Sequence, residues 1–237
     1  MRESKNEKAL ILLLGGGGTR FGSSLPKQFY RLQDLTYGSL PLFAISCERL
    51  LNSISFNSVV FVVKKEYEKD PVFLDAKSVI ETNHPLVKIY TTEGGKTRNE
   101  SMRNGWKSLK KNHPHIKKIA VHDANRPFLS EDFIGRISEN LEKLSETHTC
   151  FIPVTQATDS LCKITKGKVG EYINRSSTFQ IQTPQLVWAD ALDKCVEKES
   201  NLDFSDEGSF LLSLNFEVYS YSGDIQNKKI TFKEDIK

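Results

Sequence analysis

No apolar run in the sequence approaches the ~18 residues that a membrane span needs. The two most apolar stretches, ALILLL at 9–14 and SVVFVV at 58–63, have six residues each. Cysteine is scarce: Cys47, Cys150, Cys162 and Cys195 are widely spaced in 237 residues, without a C-x-x-C pair and without a histidine at zinc-finger distance. That pattern excludes a disulfide scaffold and predicts reduced thiols in the cytoplasm. Excess charge is lacking as well. Lys+Arg number 33 against 30 Asp+Glu, a formal charge of +3. A general nucleic-acid binder needs a concentrated basic stripe, so any anionic partner is met by a few placed cations. The charged MRESKNEK before ALILLL has the look of a leader, but six apolar residues running into glycines fall short of the roughly 7–15 of a secretory core. No low-complexity linker and no internal repeat divides the chain. With 38% hydrophobic and 27% charged residues it has the composition of a globular protein, not of a disordered, collagenous or coiled-coil one. A soluble single domain over 1–237 is expected.

Short apolar runs alternate with helical spacing. Residues 9–14, 58–63, 87–91, 118–122 and 150–154 read as buried strands, being too short for helices and bounded by glycine or charge. Residues 42–51, 97–111 and 131–144 carry helical periodicity between them. This alternation predicts βαβ crossovers and a mostly parallel sheet covered on both faces. Residues 155–185 differ: they contain Gly167, Gly170 and a polar SST, with weak periodicity of either kind. They are expected to leave the sheet as an extended hairpin, an arm available to a partner subunit. Beyond it, 188–199 and 206–214 read as helices and 216–221 as a strand.

Two motifs stand out. The first is the run Gly15, Gly16, Gly17, Gly18, Thr19, Arg20, continuing through FGSSLPKQF to Lys27 and Phe29. Glycines directly after a first strand let the backbone approach a ligand and turn amide N–H groups toward anionic oxygens. Arg20 and Lys27 add two cations suited to a triphosphate. The run has neither the G-K-[ST] of a P-loop nor the G-x-G-x-x-G spacing of a dinucleotide fold. The second is VHDANRPF at 121–128. An Asp at the carboxyl end of a strand lies where open α/β sheets bind ligands. Asp123 there could hold Mg²⁺ between phosphate oxygens, with Arg126 on phosphate or orienting the carboxylate. His122 reads instead as a packed or capping histidine. Weaker stretches are EGGKTRNES at 93–101, Asn174-Arg175 ahead of QTPQ at 182–185, and GDIQNKKIT at 223–231. Each alone is ordinary turn chemistry.

In order, GGGGTRFGSSLPKQF, GGKTRNES, VHDANRPF, TDSLCK, the Arg175 to QTPQ spacing, SDEGS and NKKIT resemble the cytidylyltransferases that act on polyol phosphates, over nearly the whole chain. The resemblance implies a single Rossmann-like α/β domain of nucleotide-diphospho-sugar transferase type, with a projecting dimerisation arm at about 155–185 and a homodimer. It also implies CTP and a polyol phosphate as substrates, Mg²⁺ or another divalent cation as cofactor, and neither nucleic acid nor membrane as partner.

By that resemblance Gly15 to Gly18, Arg20 and Lys27 hold the triphosphate, and Gly95, Lys96 and Ser101 match the cytosine-reading turn. Asp123 ligates Mg²⁺ near the ribose and α-phosphate, beside Arg126. Ser160, Arg175 and Thr183 match arm positions that reach the polyol phosphate in the neighbouring subunit, and Lys229 falls on the lysine that contacts the acceptor phosphate. Three positions depart from the family's habit. Lys96 stands where an acid is common, Ser160 replaces Thr, and Gln226 stands where Asp is frequent. The methylerythritol phosphate branch, which feeds isoprenoid precursors, is the leading expectation. The ribitol 5-phosphate branch, which supplies cell-surface polymers, is the alternative. A nucleotide-binding module without turnover and an NAD-dependent oxidoreductase are the readings from other classes. The retained cations argue against the first and the glycine spacing against the second.

Overall fold

The structure, a computed structural model, describes residues 7–15, 21, 25–197 and 204–236. The strands and helices in chain order are β1 (Glu7–Leu13), β2 (Arg31–Asp34), β3 (Gly38–Pro41), α1 (Leu42–Ser53), β4 (Ser58–Val63), α2 (Pro71–Asn83), β5 (Lys88–Glu93), α3 (Arg98–Asn112) and β6 (Ile116–Asp123). The second half contributes α4 (Glu131–Lys143), β7 (Cys150–Gln156), β8 (Leu161–Thr165), β9 (Lys168–Ile173), β10 (Phe179–Ile181), β11 (Gln185–Trp188), α5 (Ala189–Glu197), α6 (Glu207–Ser213) and β12 (Tyr219–Ser222).

The central sheet runs β5-β4-β1-β6-β11-β7, with β10 and β12 also paired to β7. The β5–β4, β4–β1, β1–β6 and β7–β12 pairs are parallel, whereas β10 and β11 run against their neighbours. The expected mostly parallel α/β sheet is therefore present, with β10 and β11 reversed. All six residues of β4 are buried, because helices cover both faces. Leu10, Leu12, Val59 and Phe61 pack with Phe43, Cys47, Phe73, Ile80, Phe133 and Ile137, which places α1, α2 and α4 on one face. Ile11, Leu13, Val60 and Val62 pack with Met102, Trp106, Leu192 and Phe210, which places α3, α5 and α6 on the other. The period-2 alternation of β1 and β4 thus feeds two separate cores.

Several local expectations need adjustment. Helix α2 is not among the expected elements, although Asp70 caps it by accepting from Val72 N at 2.8 Å and Phe73, Ala76 and Ile80 bury one stripe. The β2–β3 hairpin is likewise an addition. The last strand begins later than 216: Asn215 takes a left-handed φ of +63° and Phe216 N donates to Leu211 O at 3.1 Å, so this stretch closes α6 instead. The segment after β7 leaves the sheet over a shorter stretch than the expected 155–185, because β7 runs to Gln156 and the chain rejoins the sheet at Phe179 of β10 and Gln185 of β11. There β8 and β9 form their own two-stranded hairpin, turned at Lys166 and Gly167 with φ of +50° and +77°. That hairpin exposes Ile164, Val169 and Tyr172. No described helix is long and apolar enough to cross a membrane.

Candidate active site

The parallel strands all end on one side of the molecule, and three of those ends build the site. β6 is the deepest, lying between β1 and β11, and it ends at Asp123, paired in register with Leu13 of β1. Chain connections from β1 and β6 leave in opposite directions across the sheet, the switch point at which open α/β sheets form a crevice. Ala124 N prolongs the ladder to Leu13 O at 3.1 Å, holding the two strand ends together. Asp123 is consequently almost buried, at 8% exposure, and both of its carboxylate oxygens meet cations. Arg98 Nε donates to Oδ1 at 3.0 Å and Lys229 Nζ to Oδ2 at 2.9 Å. Burial alone would raise its carboxyl; Arg98 and Lys229 overcome that and hold it far below the usual carboxylate range.

Arg98 opens α3 and reaches a second acid. Its Nη1 and Nη2 fork onto Glu207 Oε1 and Oε2 at 2.7 and 3.1 Å. Glu207 opens α6 and is fully buried, which raises its carboxyl, while Arg98 opposes the rise. Neither residue stands out in the sequence by itself, although both lie inside motifs that do, RNES and SDEGS. The available signal is the position of Arg98: a cation at the start of a helix opposes the macrodipole and needs acidic partners.

His122 is fully buried behind Asp123. Thr183 Oγ1 meets its Nδ1 at 3.0 Å and Ser46 Oγ its Nε2 at 2.8 Å. Burial pushes its pKa down to about 3, so the ring is neutral at pH 7, in line with a packed histidine. The Thr183 hydroxyl also accepts from Asp123 N at 3.1 Å. Thr183 therefore stands under the strand end, inside the chain's own core, and not on the hairpin. Arg126 is nearly buried too. Its Nη1 donates to Asn227 O at 2.8 Å, while Asn227 Nδ2 donates to Thr183 O at 2.9 Å. This guanidinium brackets the carboxyl-terminal segment to the sheet.

That segment brings Lys229 in. Ile230 N donates to Asn125 O at 2.9 Å, and the Ile230 side chain packs with Phe21 and Leu42. Asp235 then folds the chain back by accepting from Thr231 N and Phe232 N at 2.6 and 2.8 Å. Those amides hold its carboxyl below the usual range, helped by the nearby charges of Lys27 and Lys228. Lys27 itself sits on a short turn whose neighbour Gln28 is buried and donates to Leu14 O, at the end of β1. Lys27 thus lies near Asp235 and the end of β1, while Lys229 meets Asp123 at the end of β6. Arg20 and Gly16, Gly17 and Gly18 lie outside the described residues. Gly15, exposed, is close enough that a Cβ there would lie 3.7 Å from Ser101 Oγ.

The expected base-reading turn is pinned by its own side chains. Gly95 N donates to Ser101 Oγ at 3.0 Å, and that hydroxyl donates to Thr97 O at 2.9 Å. Lys96 N donates to Glu100 Oε2 at 2.7 Å, and the Lys96 side chain faces solvent. A Cβ on Gly95 would fall 2.3 Å from Glu100 Cγ, so glycine fits the turn. Ser160 and Arg175 lie apart on the arm, both exposed. Arg175 Nη1 donates to Thr158 O at 3.3 Å, and no hydrogen bond among the described residues joins either one to Asp123. No cluster of three or more His, Cys, Asp or Glu suited to a metal occurs among the described residues. Asp123 is the carboxylate at the strand ends, and Lys229, 46% exposed at its side chain, covers one of its oxygens.

A family profile described as 2-C-methyl-D-erythritol 4-phosphate cytidylyltransferase matches residues 9–237. The chain belongs to this family. The enzyme of that name from Carboxydothermus hydrogenoformans is 31% identical over 96% of this chain and 91% of its own length. The one from Thermotoga neapolitana is 31% identical over 95% and 92%. Among solved structures, a 4-diphosphocytidyl-2C-methyl-D-erythritol synthase superposes with a TM-score of 0.71 at 25% identity, covering 98% of this chain and 96% of the other. The synthase from Anaerococcus prevotii gives 0.72 at 22% identity, covering 98% and 95%, which speaks to the shared fold alone. Family membership fits a site whose described side chains are cations arranged around one strand-end carboxylate.

Proposed function

We propose that the chain transfers the cytidylyl group of CTP to 2-C-methyl-D-erythritol 4-phosphate, a step of isoprenoid precursor synthesis, and releases pyrophosphate. The reading is carried by one observation: Lys229 meets Asp123 at the carboxyl end of β6 in a chain that matches this family over 9–237. An oxygen of the acceptor's phosphate attacks the α-phosphorus, the bond to the β-phosphate breaks, and pyrophosphate leaves with the electron pair. A phosphate monoester has its second pKa near 6, so the nucleophile is already the dianion near pH 7. No general base is required of the protein, and His122, neutral and walled in by Ser46 and Thr183, is not placed to be one.

The barrier is instead repulsion between two anions. Lys27 and Arg20 draw charge from the departing pyrophosphate, Lys229 meets the acceptor phosphate, and Arg175 aligns it, so cations and position supply the catalysis. The turn at Gly95, Lys96 and Ser101 faces the cytosine, and the glycines at 15–18 cradle the triphosphate. Mg²⁺ is usually held by one or two carboxylates together with substrate phosphates, and Asp123 fits that demand once Lys229 turns to the acceptor. When bound there, the ion would screen the negative charge of the α-phosphate. Arg175 and Ser160 serve the site across a homodimer in the cytoplasm. Support for that arrangement comes from the apolar side chains that the arm leaves uncovered: Ile164, Val169 and Tyr172.

The test is pyrophosphate release from CTP with methylerythritol phosphate and with ribitol 5-phosphate, with and without Mg²⁺. Release that depends on methylerythritol phosphate supports the proposal. Turnover only with ribitol 5-phosphate replaces the acceptor, and none with either leaves a binding module.

A further inference from the structure

The SDEGS motif at 205–209 has no part in the reaction described above, yet hydrogen bonds at Asp206, Glu207, Gly208 and Ser209 tie it into the structure. Asp206 caps α6 by accepting from Ser209 N at 2.7 Å, and Ser209 Oγ accepts from Asp206 N at 3.3 Å. Gly208 N donates to Gln185 Oε1 at 2.9 Å, and a Cβ at this glycine would lie 3.1 Å from Ile152 Cγ2. The turn is therefore fixed from both sides, and what it fixes is Glu207, at 1% exposure, facing Arg98. Each hydrogen bond described for the Arg98 guanidinium goes to a carboxylate: two to Glu207 and one to Asp123.

We infer that Glu207 and Arg98 form a positioning pair that acts through Asp123. A bidentate carboxylate locks the plane of a guanidinium. With its fork taken by Glu207, Arg98 offers Asp123 its Nε edge alone, occupies Oδ1, and leaves Oδ2 as the oxygen that faces Lys229 and the crevice. Charge follows the same logic. Once Lys229 turns to the acceptor, one guanidinium between two carboxylates leaves a net negative charge, so Asp123 keeps its anionic character toward the crevice even though it touches an arginine. Without Glu207, Arg98 would belong to Asp123 entirely, and a cation arriving with a nucleotide would find that carboxylate neutralised.

The inference rests on the proposed role of Asp123, so its test separates the two. Two variants are compared with the wild type: Glu207→Gln, and Arg98→Met combined with Glu207→Met. The second removes both charges together, which buried pairs tolerate far better than the loss of one partner, and it decides the matter where Glu207→Gln does not fold. Calorimetric binding of CTP in EDTA and in Mg²⁺ is measured beside kcat and KM. The wild type is expected to bind CTP more tightly with Mg²⁺. Both variants should keep the EDTA affinity and lose the gain from Mg²⁺, Glu207→Gln because Arg98 then neutralises Asp123 and the double variant because Arg98 no longer orients that carboxylate. Both should fall about 10–100-fold in kcat, the usual cost of removing a group that orients a ligating side chain.

A folded variant that keeps the gain and the turnover overturns the inference, as does one that loses CTP affinity equally in both buffers. A wild type indifferent to Mg²⁺ overturns it too. A wild type inactive with every acceptor, whose gain still vanishes in the variants, refutes the function and leaves the positioning pair standing.

Discussion

Two glycines in the middle of helices provide a test in which the same substitution should change stability in opposite directions. Gly135 lies in α4 on the solvent side, and a Cβ there would meet nothing within 4 Å. Alanine should stabilise the helix at this position by ~0.8–1 kcal/mol, the difference in helix propensity. Gly105 lies buried in α3, where a Cβ would stand 2.8 Å from both Ile11 Cγ2 and Val62 Cγ2. Those methyls belong to β-branched residues of strands β1 and β4, which have little rotamer freedom, so α3 itself must move. Overpacking of this kind costs about 1–3 kcal/mol, which outweighs the ~1 kcal/mol gained from propensity. The net effect of Gly105→Ala should be a loss of up to ~2 kcal/mol. For a protein of this length a kcal/mol moves Tm by about 2–4 °C. Thermal unfolding should thus show Gly135→Ala a few degrees above the wild type and Gly105→Ala a few degrees below it. Kinetics should separate them as well, because α3 carries Arg98 and Ser101 at its first turn. A shift of order 1 Å at a site can cost about 10²-fold, so kcat should fall for Gly105→Ala and stay unchanged for Gly135→Ala. A Gly105→Ala protein as stable and active as Gly135→Ala would refute the packing argument.

Other outcomes follow from the site and the hairpin. Lys27→Ala should lower kcat about 10²–10³-fold with a much smaller rise in KM for CTP, as expected for a lost charge-stabilising donor; steady-state loss below about tenfold would reject the role. Mixing inactive Lys27→Ala and Arg175→Ala subunits should restore pyrophosphate release if the arm completes a neighbour's site, and a mixture no better than its parts would count against sharing. Burial raises the thiols of Cys47 and Cys150, and pushes Cys195 up to about 12, whereas Cys162 sits part-exposed on β8. Native maleimide labelling at pH 8 should therefore add a single mass increment at Cys162, and rapid labelling of a second cysteine would contradict the described burial.

What can be read in the sequence is mostly local. SVVFVV and ALILLL announce buried strands because both of their faces are covered, and VHD marks a strand end because β6 runs to Asp123 without interruption. Helix α2 has a visible start in Asp70-Pro71 and a spacing of Phe73, Ala76 and Ile80, but its stripe is narrow and its other positions are mixed. The partnership of Arg98 with Glu207 is not visible at all. The two lie 109 residues apart, and although a cation at the start of α3 calls for an acid, Glu207 looks like an ordinary first-turn charge until the fold brings α3 and α6 onto one face. Thr183 reads as an arm residue because it follows Arg175 closely. The chain returns to the sheet at β10 and β11, on either side of Thr183, so the arm's membership ends sooner than sequence distance suggests.

The hairpin between β7 and β10 has a closed neck: Ala157 N donates to Thr178 O at 3.0 Å, and the ladder continues from Gln156 opposite Phe179 down to Val154 opposite Ile181. Whatever lies beyond that neck adds nothing to the registration of the main sheet. Evolution can therefore lengthen, shorten or rewrite this appendage as a detachable cassette while the sheet beneath keeps its shape.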